Sequence, residues 1–181
     1  MLFRSLLLPA LVFYRYALST EDQIARCRSQ YSQTLAAGDT DAARFYLHKW
    51  SLLAPEYNDP QLLSAELELQ VGDTLAALRI LVQLAQRGDL RAALRICRLD
   101  YDRVTRAILD GQPRDAELES SLVQRLELLR QEQTENVDAL MMLGDIYTLR
   151  QQDNLAISTL EALVFRTATR FPEAWQNLAT L

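Results

Sequence analysis

Lysine is nearly missing from this chain: of 19 basic residues only Lys49 is a lysine, so Schiff-base chemistry or a phosphate-cradling ammonium is hard to place. His48 is the sole histidine. The two cysteines, Cys27 and Cys97, stand far apart, with no CxxC pair and no companion histidine cluster, which argues against a zinc site or a redox pair. Both are expected to be small buried hydrophobes. Five glycines and five prolines among 181 residues exclude collagen-like or disordered classes. No window alternates β-branched residues with polar ones, which argues against a sheet. There is no phosphate loop, no nucleophile elbow and no carboxylate set at metal-ligand spacing, so no metal, cofactor or catalytic residue is assigned. A net charge of −5 argues against nucleic acid as a partner, since phosphate binding needs a basic surface.

What is present is a chain 49% apolar, long enough to bury a core without a disulfide or metal staple. Its most apolar stretch is residues 1–18. The uninterrupted part, Ser5 to Tyr14, would as a helix cover about 15 Å, roughly half a bilayer core. Three readings of this segment stand open: an apolar helix docked on the rest of the chain or on a partner, a membrane-associating anchor, and a cleaved signal. The first two place the protein in the cytoplasm or at a membrane, the third outside. Pro9 would kink such a helix or start a new one.

From Ser19 onward the pattern is helical to the end. The spacing predicts helices over 20–37, 40–53, 59–71, 74–87, 89–109, 114–131, 136–150, 153–170 and 172–181. The turns repeat. Gly38-Asp39-Thr40-Asp41-Ala42-Ala43 returns, 34 residues later, as Gly72-Asp73-Thr74-Leu75-Ala76-Ala77. Each element of the motif has a physical use: the glycine ends one helix in a left-handed conformation, the aspartate or threonine caps the next, and the alanines let two helices approach closely. Further turns fall at Gly111-Gln112-Pro113 and near Gln151-Gln152-Asp153, and Gly88-Asp89 marks a junction between two hairpins.

This periodicity resembles the tetratricopeptide-repeat (TPR) superfamily, whose unit is two antiparallel helices in 34 residues. The best match is Leu140-x-x-Leu143-Gly144-x-x-Tyr147 followed by Ala156, and Trp175-x-x-Leu178-Ala179 looks like the opening of another unit. The second unit departs from the pattern, with Ser64 and Ala65 where Leu-Gly would stand. The third, about 88–134, is too long. The resemblance implies an all-α fold, a right-handed superhelical stack of antiparallel helix hairpins over 19–181. The hairpins would occupy 21–55, 59–87, 89–131 and 136–170, followed by a terminal helix over 172–181 and preceded by the apolar N-terminal helix. It also implies a concave groove lined by first-helix positions: Arg28, Ser32 and Leu35, then Asp59, Leu62, Glu66 and Leu69, then Asp138, Met141, Asp145 and Thr148. The chaperone adaptors of the family clamp a peptide carboxylate with lysine, arginine and asparagine. Ser32 and Glu66 stand at matching places here, so that subtype is rejected.

Charge is unevenly placed: seven arginines against three aspartates between Arg79 and Arg106, then nine acids against three arginines over 110–145. Arg91, Arg95, Arg98 and Arg106 fall on one stripe of the third unit's first helix, with Asp102, opposite Ala93, Ile96, Cys97, Tyr101, Val104 and Ala107. That stripe is either a solvated face neutralised by the acidic helix that follows or a docking surface for an acidic or anionic partner. His48 is expected to be half-buried near a helix end. The resulting functional expectation is a non-catalytic protein-interaction scaffold or adaptor, an assembly or accessory subunit of a larger complex, in solution or associated with a membrane. The alternatives are a soluble TPR-type chaperone for a secretion or assembly substrate and an enzyme with an unrecognised dispersed site.

Overall fold

The computed structural model describes residues 19–132 and 136–167, with side chains to Val164. The apolar segment 1–18, the expected terminal helix 172–181 and the end of the helix expected to reach 170 lie outside the described residues. Within them eight helices follow one another: α1 (Thr20–Ala36), α2 (Thr40–Leu53), α3 (Asp59–Gln70), α4 (Thr74–Gln86), α5 (Leu90–Leu109), α6 (Ala116–Glu132), α7 (Val137–Leu149) and α8 (Asp153–Thr167). No strand occurs among the described residues. The all-α class is therefore as expected.

Local chemistry explains the segmentation. At Gly38 and Gly72 φ is +74° and +88°, a left-handed region that costs glycine least. In the first turn the Gly38 N–H donates to Leu35 O and the Asp39 N–H to Thr34 O, which satisfies carbonyls at the end of α1. Gly72 and Asp73 make the equivalent bonds to Leu69 and Glu68. The aspartate then turns its side chain to the next helix: Asp39 Oδ1 accepts from the Ala42 N–H and Asp73 Oδ1 from the Ala76 N–H. The same turn is made by Gln151 with φ +56°, a non-glycine residue held in the left-handed region.

The chain divides into two units, 1–84 and 85–181. In the first, α1 packs on α2 and α2 on α3 around Cys27, Tyr31, Ala43, Leu47, Trp50, Ala54 and Leu67. Arg44 of α2 holds Glu68 of α3 through two bonds of 2.8 Å. In the second, α5, α6 and α7 pack in succession and α8 on α7. Their main core joins Cys97, Leu122, Leu126, Leu143, Ile146, Tyr147 and Ala156. The close-contact alanines Ala43, Ala77 and Ala156 are all fully buried.

The excess length of the third repeat is accounted for by its helices. α5 has 20 residues, against 12 in α3 and 13 in α7, and α6 has 17. No helix of the described residues is long and apolar enough to cross a membrane.

Candidate interaction groove

The most developed site in the second unit lies between two first helices, α5 and α7. A cavity of about 290 Å³ is lined there by Tyr101, Thr105, Ile108 and Leu109 from the last turns of α5 and by Asp145, Thr148 and Leu149 from the end of α7. Tyr101 Oη donates to Asp145 Oδ2 at 2.7 Å and so ties the two helices together. Burial pushes the Tyr101 hydroxyl pKa well above its usual range, and the bond to Asp145 pushes it further. The two threonine hydroxyls are also committed as donors, Thr105 to Tyr101 O at 2.9 Å and Thr148 to Gly144 O at 2.8 Å.

Next to the site, Arg114 grips buried Glu119 with bonds of 2.9 and 2.8 Å and donates a third to Leu149 O at 2.9 Å. That third bond fixes the end of α7 where it meets the cavity. Arg98 stands 5.8 Å from the Tyr101 ring centroid and pairs with Asp102 at 3.6 Å.

Of the expected groove residues, Asp145 and Thr148 line this cavity. Asp138, on the same helix, is exposed, whereas Met141 packs beside Leu140, Leu160, Leu163 and Val164. In the first unit Arg28 lies with its guanidinium 4.4 Å over the Trp50 ring, and Ser32 Oγ donates back to Arg28 O. Leu62, Glu66 and Leu69 are half-buried on α3, as are Leu35 on α1 and Asp59. The Glu66 charge reaches the buried Tyr31 hydroxyl, whose pKa is raised first by burial and then by that carboxylate.

The arginine stripe is partly spoken for. Arg91 donates to Asp89, the residue capping its own helix, at 2.9 Å, and Arg98 pairs with Asp102 one turn on, while Arg106 is exposed and Arg95 half-buried. An ion pair between α5 and α6 has the opposite polarity to the expected neutralisation: Asp100 of α5 accepts from Arg125 of α6 at 2.6 Å. A second cavity of about 270 Å³ opens beside that pair, lined by Asp89, Leu90, Ala93, Ile96, Leu128 and Leu129 among others.

Sequence reasoning put Tyr101 on the buried face and passed over Thr105, Ile108 and Leu109. The spacing of Tyr101, Thr105 and Ile108 along one side of an overlong helix was the available signal. His48 is exposed rather than half-buried, with its carbonyl accepting from Ser51 Oγ at 2.7 Å. Cys27 and Cys97 are buried free thiols, and no group of histidine, cysteine and carboxylate side chains among the described residues is placed to hold a metal.

No protein-family description matches the chain, and no curated protein does. Solved structures do. The MamA protein aligns with a TM-score of 0.56 at 15% identity, over 88% of this chain and 81% of its own. The RS-1 ArsTM double mutant of MamA gives 0.58 at 13% identity, over 90% and 96%. A thermophilic TPR protein of Thermus thermophilus gives 0.55 at 17% identity, over 90% and 80%. At these identities the likeness is one of architecture, and it agrees with the hairpins and left-handed turns described above: the chain has the helical-hairpin fold of tetratricopeptide-repeat proteins.

Proposed function

We propose that the protein is a non-catalytic interaction scaffold that receives a segment of a protein partner between the first helices α5 and α7 of its second unit, as an accessory or assembly subunit of a larger complex. The observation that carries the reading is the cavity between α5 and α7. It is a concave, mainly apolar opening whose walls include Asp145 and Thr148, two positions that the repeat resemblance assigns to the partner-facing side. Supporting it, α2 exposes Phe45 and Leu52 two turns apart, and α4 exposes Leu75 and Val82 at the same spacing. Repeated outward apolar pairs suit a chain that is covered within an assembly. Membrane association through residues 1–18 belongs to the same proposal, and fractionation of the intact chain against one lacking them tests it.

The direct test is capture from native-host lysate with mass-spectrometric readout, comparing the full chain with Thr148→Arg. Thr148 is exposed, so the arginine can be accommodated without disturbing the core, yet it would fill the mouth of the cavity. Selective loss of co-purifying proteins is expected. Identical capture by both chains overturns the groove reading.

A further inference from the structure

We infer that the cavity between α5 and α7 receives an uncharged aromatic side chain of the partner segment, with the indole of tryptophan the best match. The inference rests on the groove reading above and names the chemistry of what enters. It follows from how the atoms lining the cavity are already used.

Every polar side chain of the lining is engaged within the protein. Tyr101 Oη donates to Asp145 Oδ2, Thr105 Oγ1 to Tyr101 O and Thr148 Oγ1 to Gly144 O. Asp145 accepts the tyrosine proton and has a further interaction besides, so its carboxylate is not free for a ligand. A charged side chain entering here would give up water without an ion partner to replace it, a cost that burial does not return. An uncharged apolar group gives up no such hydration and gains the wall.

Size and wall then favour a ring. An apolar cavity of about 150 Å³ already takes benzene. This one, at about 290 Å³, has room for an indole. Tyr101 belongs to the wall, and a second ring set offset or edge-on against it gains attraction beyond its buried area. The aliphatic remainder is Ile108, Leu109 and Leu149, of which Leu109 is 86% exposed and gains most from being covered. The hydroxyls decide between the aromatic side chains. Having donated inward, they offer only lone pairs outward, and the indole N–H donates without accepting. Phenylalanine lacks that donor, and tyrosine would bring an acceptor oxygen along with its own.

The test is an NMR titration of the full chain with blocked alanine-based pentapeptides carrying tryptophan, phenylalanine, leucine, lysine or glutamate at the centre. The tryptophan peptide is expected to saturate shifts at the Thr105, Ile108, Thr148 and Leu149 amides and to bind about tenfold more tightly than the lysine or glutamate peptide, with phenylalanine next and leucine behind both aromatics. Leu109→Ala, at an exposed site outside the core, should weaken the tryptophan peptide severalfold without moving the unfolding midpoint. Thr148→Arg should abolish the shifts. Lysine or glutamate binding as tightly as tryptophan, leucine binding as tightly as both aromatic peptides, or no shift with either aromatic peptide overturns the inference. Those outcomes leave the scaffold reading standing, because that reading is decided by the capture experiment.

Discussion

Gly144 faces Leu160 so closely that a Cβ built on it would stand 2.7 Å from Leu160 Cδ2 and 3.0 Å from Cγ. This is where α7 and α8 touch. Leu160 is itself buried, packed with Leu140, Leu163 and Val164, so it has little room to retreat. A methyl at 144 would raise helix propensity by about 1 kcal/mol yet cost about 1–3 kcal/mol in overpacking. Gly144→Ala is therefore expected to lower the stability of the fold by a net of about 0–2 kcal/mol. In a Leu160→Ala background the same substitution should be neutral or stabilising, and a thermal-denaturation double-mutant cycle reads the coupling.

Gln151 makes the opposite prediction. It forms the turn that glycine forms elsewhere, its N–H donating to Thr148 O and that of Gln152 to Tyr147 O, but with φ at +56°. A left-handed residue with a Cβ carries about 1 kcal/mol of strain that glycine lacks. Gln151→Gly should stabilise the fold by about 0.5–1 kcal/mol, and Gly72→Ala, at φ +88°, should destabilise it by about the same. Chemical denaturation of the two variants side by side checks both signs.

These two positions show what the sequence could and could not tell. The glycine-aspartate turns were legible because glycine and aspartate have backbone uses that do not depend on distant residues, and the helices begin and end close to where those turns place them. Gln151 was found only through spacing. Two residues of the α5–α7 cavity, Asp145 and Thr148, were singled out from repeat position, but the tyrosine bonded to Asp145 sits in the overlong helix, where repeat numbering fails. The arginine stripe was visible as a pattern, whereas its pairing with Asp89 and Asp102 depends on side-chain reach, which periodicity does not encode.

Tyr147 is buried and donates to Glu127 Oε1 at 2.7 Å; burial and then that bond push its pKa from the usual 10 up to about 12. The folded state therefore holds the phenolic proton more tightly than the unfolded chain. Its stabilising contribution is complete below pH 10 and is lost progressively as the pH rises toward 12. Stability should fall steeply above pH 10, and Tyr147→Phe should flatten that fall while lowering stability at neutral pH. Denaturation midpoints across the alkaline range, with tyrosinate absorbance, measure it.

Cys97 is buried against α6 and α7, and burial pushes its thiol up to about 11 despite the neighbouring Arg125. Cys27 is shifted upward as well, again by burial. Neither thiol should react with iodoacetamide in the native protein at neutral pH, because both accessibility and thiolate fraction are low. Both should react once denaturant unfolds the chain. Rapid native labelling of Cys97, read by mass spectrometry, would contradict its placement in the core of the second unit.

Arg114 joins the loop before α6, a buried carboxylate and the end of α7. Its two bonds to Glu119 satisfy a side chain only 6% exposed, and the third reaches Leu149 O. Removing the arginine leaves a buried negative charge without this partner, a larger penalty than the pair's own net worth. Because Arg114 is itself 44% exposed, the expected cost of Arg114→Ala is about 1–3 kcal/mol rather than the full value for a wholly buried pair. Replacing both residues, Arg114→Met with Glu119→Leu, should recover much of it by removing the charge together with its partner. Amide hydrogen exchange separates the bond to Leu149 O from the pairing with Glu119. The double variant would restore the core but not the bond to Leu149 O, so the end of α7 would still be less firmly held and its amides should exchange with solvent faster than in the original chain. Full recovery of exchange protection along with stability would mean that Arg114 acts through Glu119 alone and does not hold the end of α7.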